Sequence, residues 1–354
     1  EAKMRSKSEK RLLVFFTVLL VAFVSVAPVT AAAAGKGGMT ELIPGGMPFG
    51  VKLFTAGAVV IGTAGVETAS GVEFPAKDAD IRAGDVIIRA GGREFSTASE
   101  LIDCISGSGG NGIDIALLRG GEELTVSVSP ARDIESGEWR IGVLIRDSTA
   151  GIGTVTFIDP ETDDFGGLGH GIYESTTGIL MPMASGTVVD VKVTSVVKSE
   201  RNSPGELHGD FGTVRRGTLW SNTEEGVFGR FDRLPAAARE PIPVAKNGEL
   251  TTGAATILTT VSGETPAEYD IEIEQIYGSS GSTKNFLLRV TDERLIETTG
   301  GIVQGMSGSP IIQNGKLVGA VTHVLVNDPT RGYGILIGNM LSEAYGVLSQ
   351  QNAA

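Results

Sequence analysis

Glycine sets the scale of structure in this chain. Fifty glycines are spread through 354 residues, and between them lie short runs rich in Val, Ile and Thr, bounded by Gly, Asn and Asp. β-Branched side chains pack well on a pleated surface, while Gly beside Asn or Asp supplies the turns that end a strand. The pattern predicts a mainly β fold of short strands. Hydrophobic residues at 41% and charged residues at 20% suit a folded protein with two or three domain cores. A net charge of −13 with no long basic run argues against nucleic acid as a partner, because the phosphates would be repelled. The single cysteine, Cys104, rules out an intrachain disulfide and a zinc-cysteine cluster. No metal or other cofactor is called for.

The N-terminus has its own logic. Lys3, Arg5, Lys7, Lys10 and Arg11 precede the apolar run 12–26, which is followed by Pro28 and a small-residue stretch. Basic, apolar and small residues in that order predict an export signal or membrane anchor over 1–36, leaving the rest of the chain to work on the far side of a membrane.

Residues 46–131 read as a first domain. MPFGVKL (47–53) is extended, AVVIG (58–62) is a strand, and 75–95 holds a short helix, a Gly84-Asp85 turn and a strand ending at Gly91-Gly92. The stretch 96–106 predicts a helix capped by Ser96 or Thr97, and 113–130 a hairpin about Gly120-Gly121. This order, above all ADIRAGDVIIRAGG, resembles a bacterial PDZ domain. The resemblance implies that Phe49, Gly50 and Val51 form a loop whose N–H groups take the carboxylate of a bound peptide. The peptide would come from a protein substrate or from a second copy of this chain.

The remainder, 132–354, carries the chemistry. GMSGSP (305–310) sets Ser307 between glycines, and a serine hydroxyl attacks only when a base and an oxyanion pocket are supplied. The N–H groups of Gly305 and Ser307 are the expected pocket, with Gly305 permitting the backbone angles it needs. PIIQNGKLVGAVTHVLV predicts a hairpin turning at Asn314-Gly315, with 322–324 beside the substrate backbone. Among three histidines, His170 in GGLGHGI is the candidate base; His208 sits in a polar turn-rich stretch and His323 alternates with apolar residues. For the acid that orients the base, Asp292 gives the chain order His, Asp, Ser, with Asp190 and Asp210 as rivals.

An export segment, a PDZ domain, then GLGHGI, SPGELHGDFG, GVFGRF, GMSGSPIIQNGKLVGAVTHVLVNDP and GYGI, in that order, resemble the SpoIVB peptidase family. The resemblance implies a chymotrypsin-like double β-barrel with a catalytic triad at His170, Asp292 and Ser307. It also implies a forespore-secreted serine endopeptidase of spore formation that cleaves itself. Its other implied target is the regulatory subunit of a membrane-embedded protease complex, whose release leads to pro-sigma-K processing. An HtrA-like envelope protease has similar parts but usually in the order protease then PDZ. A silent PDZ scaffold is the non-enzymatic alternative.

Overall fold

The computed structural model describes residues 41–351 other than 96, 247 and 279–282. The expected export segment 1–36 lies outside the described residues. The strands build two barrels. In the first, Pro48–Thr63, Val143–Ile158, Asp164–Gly167, Gly226–Phe231, Glu206–Thr223 and Met183–Val197 pair antiparallel in that circular order, the last returning to the first. In the second, Gly253–Thr259, Ala267–Ile276, Phe286–Val290, Asp328–Leu336, Lys316–Leu325 and Pro310–Gln313 close a six-stranded ring. A mainly β chain with a double barrel is thus what the strand and turn pattern builds. Closure leaves few unpaired edges, and alternate side chains point inward. Phe49, Leu53, Phe165 and Phe231 fill the first barrel, and Ile257, Ile271, Phe286 and Leu288 the second. At the expected Asn314-Gly315 turn both residues have positive φ, 53° and 73°, and Gln313 pairs with Lys316 across it.

The PDZ unit has a separate core around Val60, Ile87, Leu101, Ile115 and Leu117. Its sheet runs from the end of Pro48–Thr63 through Val86–Ala90 and Ile113–Arg119 to Glu122–Val128. The helix Ala98–Ser106 starts on Thr97, whose hydroxyl accepts the N–H of Glu100. Of the two caps expected for it, Thr97 is the one seen; Ser96 lies outside the described residues. The buried Asp85 after Gly84 accepts the N–H of Arg82 and a forked pair from Arg119, at 2.7 and 2.8 Å, fixing the turn.

The PDZ unit, expected over 46–131 ahead of a domain at 132–354, is not a separate bead in front of the first barrel. Residues 48–55 already belong to the first barrel, and Val143–Ile158 returns along Pro48–Thr63 from Thr63 to Pro48. The PDZ unit is inserted at the far end of a hairpin of that barrel. The residues expected to form a peptide-binding loop lie in the strand Pro48–Thr63. Phe49, Gly50 and Val51 pair with Gly153, Ile152 and Gly151 on one side and with Asp190, Val189 and Val188 on the other. Backbone in the middle of a sheet gives its N–H groups to its neighbours, so none is left for a carboxylate. Phe49 is only 2% exposed and meets the Phe165 ring edge-on at 5.8 Å. Gly50 serves packing: a Cβ there would lie 2.6 Å from the ring of Phe211.

Candidate active site

The serine turn is built from two tight bends. Met306 N–H donates to Val303 O at 3.1 Å, and Ser309 donates to Met306 O through its N–H at 3.0 Å and its hydroxyl at 2.7 Å. Gly305 and Gly308 have φ of 97° and 95°, a region where side chains are rare. The carbonyls of Gly305 and Ser307 are both tied to Thr154 of the first barrel, by its hydroxyl at 2.8 Å and its N–H at 3.0 Å. The N–H groups of Gly305 and Ser307 have no hydrogen-bond acceptor among the described residues. Free donors at these two positions are what an oxyanion pocket requires.

His170 arrives from the other barrel. After the strand Asp164–Gly167 the chain turns through Leu168 and Gly169, both at φ 66°, and Leu168 N–H donates to Thr154 O at 3.2 Å. Thr154 therefore holds the serine turn and the histidine loop at once. A Cβ on Gly169 would stand 3.0 Å from Cγ2 of both Thr322 and Ile335, so glycine lets this loop lie on the second barrel. His170 Nδ1 is 2.8 Å from the carbonyl of Gly171. A carbonyl only accepts, so Nδ1 carries the proton and Nε2 keeps its lone pair. The ring stands 5.1 Å, centre to centre, from that of His323. Both line a cavity of about 370 Å³ walled by 149–153 and 168, 171–173.

Burial holds the pKa of His170 below the ordinary imidazole range, the Gly171 carbonyl opposing it. For His323, burial, then the charge of His170 and Lys284, bring it down to about 4. Ser307 Oγ donates to Thr322 O at 2.8 Å, not to His170. Ser307 and the His170 loop thus both lie against Thr322-His323, with no hydrogen bond between serine and histidine among the described residues.

Comparison with known proteins gives the family. The family model described as SpoIVB peptidase S55 matches residues 137–341, more than half of the chain, and a PDZ domain model matches 50–129. The chain belongs to the SpoIVB peptidase S55 family. It is a serine peptidase carrying a PDZ domain. No curated protein matches it. Among solved structures, the inactive form of the Rv3671c protease of M. tuberculosis is similar at 17% identity and a TM-score of 0.33, over 55% of this chain and 84% of its own. The active form of Rv3671c is similar at 16% identity and a TM-score of 0.32, over 56% and 74%. The PDZ domain of the SdrC-like protein from Listeria monocytogenes is similar at 24% identity and a TM-score of 0.21, over 25% and 87%.

The structure does not bring Asp292 to His170 in this S55 peptidase. Asp292 is the N-cap of the helix Glu293–Thr299, accepting the N–H groups of Arg294 and Leu295 and, at 3.3 Å, that of Asp270. The Arg294 guanidinium closes on the same carboxylate, at 2.6 Å, and holds its pKa below the usual carboxylate range. The rivals are engaged or exposed elsewhere. Asp190 pairs with Arg216, Asp210 is exposed on the strand opposite Lys192, and the exposed His208 pairs with Glu206. The orienting contact on His170 comes from its neighbour's carbonyl instead. Two further parts, Thr154 and the Gly171 carbonyl, carry no sequence signal: Thr154 lies 151 positions from the carbonyl that its hydroxyl binds, and a backbone acceptor has no side-chain signature.

Two expected results follow from these contacts. Asn caps helices as well as Asp does, and the exposed Arg294 can be taken up by water when the ion pair is lost. Asp292→Asn is therefore expected to cleave peptides within about tenfold of the parent, whereas losing a triad acid costs about 10⁴ in kcat. Asp292→Ala should lower the folding free energy by about 1–2 kcal/mol through the lost cap, read by denaturant titration. A 10⁴-fold loss in the stably folded Asn variant would restore Asp292 to the catalytic centre.

The pH profile gives the second. Imidazole acts as a base only when neutral, so the acid limb of kcat/KM is expected below the unperturbed value of about 6.5. Stability moves in the same sense. The unfolded chain binds protons on both histidines near pH 6.5 and the folded chain does not, so stability falls as pH drops from 6.5 toward 4. His323→Gln should flatten part of that loss in a melting series.

Proposed function

We propose that this chain is the exported endopeptidase of a spore-forming cell, released from the forespore into the space between the two spore membranes. There it cuts itself and the regulatory subunit of a membrane-embedded protease complex, so that pro-sigma-K is processed. Family membership supports the sporulation role, and the basic and apolar N-terminal sequence supports export or transient anchoring. The observation that carries the chemistry is the pinning of the Ser307 turn and the His170 loop to one residue, Thr154, with both pocket N–H groups free.

In this mechanism the Ser307 side chain rotates away from Thr322 O toward Nε2 of His170. As Oγ bonds to the peptide carbonyl carbon, its proton passes to Nε2, and the N–H groups of Gly305 and Ser307 take the charge on the oxygen. The Gly171 carbonyl holds Nδ1–H throughout. The imidazolium then protonates the leaving amine, and water repeats the sequence to release the acyl group. The site opens on the PDZ-bearing hairpin, unlike an arrangement in which PDZ modules simply follow a protease. Purified protein and its Ser307→Ala twin, followed by intact-mass spectrometry, test the reading. Truncation of the parent alone supports self-cleavage. If neither is cut and a fluorophosphonate probe leaves Ser307 unlabelled, the chain works as a PDZ scaffold.

A further inference from the structure

A second stretch of the chain is arranged to receive a carboxylate. After Trp139–Arg140, which pairs with Ala131–Arg132, the backbone passes through Ile141 and Gly142 into Val143–Ile158. Ile141 is buried in the PDZ core, Gly142 stands at φ 71°, and their carbonyls accept the N–H groups of Ala76 and Ala64. The N–H groups of Ile141 and Gly142 themselves have no acceptor among the described residues. Successive free N–H groups beside a left-handed residue make a concavity for an anion, and holding a C-terminal carboxylate is a recurring use of one. Side chains are excluded at Gly142, where a Cβ would lie 2.2 Å from Ala64 O.

The strand that leaves this concavity has one edge without a partner among the described residues. Residues 143–146 pair with 59–63, and 148–153 with 49–54, always on the same side. The helix Ala98–Ser106 lies against the first part: Asp147 Oδ2 accepts the N–H of Ala98 at 2.9 Å, and Val143 and Ile145 pack on the core that holds Leu101 and Ile105. Ile102, one helical turn beyond Ala98 and half exposed, lies on the same helix face. The second part, 149–153, forms one wall of the cavity that contains His170. None of residues 143–152 is buried.

We infer that this peptidase takes substrates by their free C-terminus at Ile141 and Gly142, and that the strand edge 143–153 sets the cut about ten residues upstream of that end. The polarity fits. A chain added antiparallel to 143–153 with its carboxylate at Ile141 and Gly142 runs back toward His170, and ten positions from Val143 to Gly153 span about 33 Å. The occupant is an extended C-terminal segment ending in an apolar residue, since Val143, Ile145 and Ile102 surround the captured end. Backbone pairing along the rest makes the measurement one of length rather than of sequence. The inference rests on the peptidase reading of Ser307 and His170.

The test uses the full chain and a set of synthetic peptides of one unstructured sequence. Each ends one residue further along, with a free or an amidated C-terminus, and the cuts are mapped by mass spectrometry. The cut is expected to move one residue with each one-residue shift of the end. Amidation should raise KM at least about tenfold, as for loss of a charge-assisted hydrogen bond. Ile102→Glu should remove the preference for free over amidated ends. Cuts that stay at one sequence wherever the peptide ends, or equal cleavage of amidated peptides, would overturn the length rule and leave the peptidase reading standing. Failure to cut any peptide while Ser307 still takes a fluorophosphonate label would also overturn delivery along the edge. No cutting and no labelling would remove the peptidase reading, and the rule with it.

Discussion

Replacing Ser307 with alanine is expected to abolish peptide cleavage, lowering kcat by about 10⁶, the scale seen when a serine peptidase loses its nucleophile. The fold should survive. Ser307 Oγ makes one hydrogen bond, to Thr322 O, whose loss costs about 1 kcal/mol and moves the melting midpoint by a few degrees. His170→Ala should cost nearly as much activity, and the double variant little more than either single one, because nucleophile and base act as a unit. Residual rates on a chromogenic ester, measured for all three proteins, check the non-additivity. Independent, multiplying losses would mean that His170 does not serve Ser307.

Replacing Gly308 with alanine is expected to be the most damaging change to the fold. Its φ is 95°, and a Cβ would lie 2.0 Å from Thr154 O and 2.5 Å from Leu168 N. Those two atoms form the hydrogen bond that holds the histidine loop, so backbone cannot yield without parting the barrels at the site. A clash with hydrogen-bonded backbone and a strained φ together should cost more than about 3 kcal/mol. Peptidase activity is expected to fall with stability. Gly120 provides the control. Its φ is also positive, at 59°, but open space surrounds it, so Gly120→Ala should cost only about 1 kcal/mol, from the strained φ alone. Equal midpoints for the two variants in guanidinium would show that the close approach at Gly308 is relieved by local movement.

Local patterns were legible where the physics is local. The Asn314-Gly315 hairpin, the Thr97 cap and the Gly84-Asp85 turn each depend on a few adjacent residues, and each stands where the sequence places it. The same holds for Gly305 beside Ser307, since the unusual φ and the free donors belong to one turn. MPFGVKL shows the limit. An extended apolar segment with a central glycine suits a ligand-binding loop or a barrel strand equally well, and Gly50 proved to make room for Phe211. Asp292 shows another limit. Chain order put a carboxylate before the serine, but its oxygens are taken by the helix start and Arg294.

What the sequence by itself determined is the β character, the SpoIVB-type peptidase membership, and Ser307 and His170 as the candidate nucleophile and base, because strand propensity, turn residues and reactive side chains are properties of short segments. Tertiary structure alone decided that the PDZ unit sits inside a hairpin of the first barrel. It alone decided, too, that Thr154 holds both the Ser307 turn and the His170 loop and that a carbonyl orients the histidine. Each of these is a pairing between segments far apart in the chain. Backbone groups carry the same donors and acceptors at every residue, so which of them meet is set by strand register and barrel closure rather than by residue type.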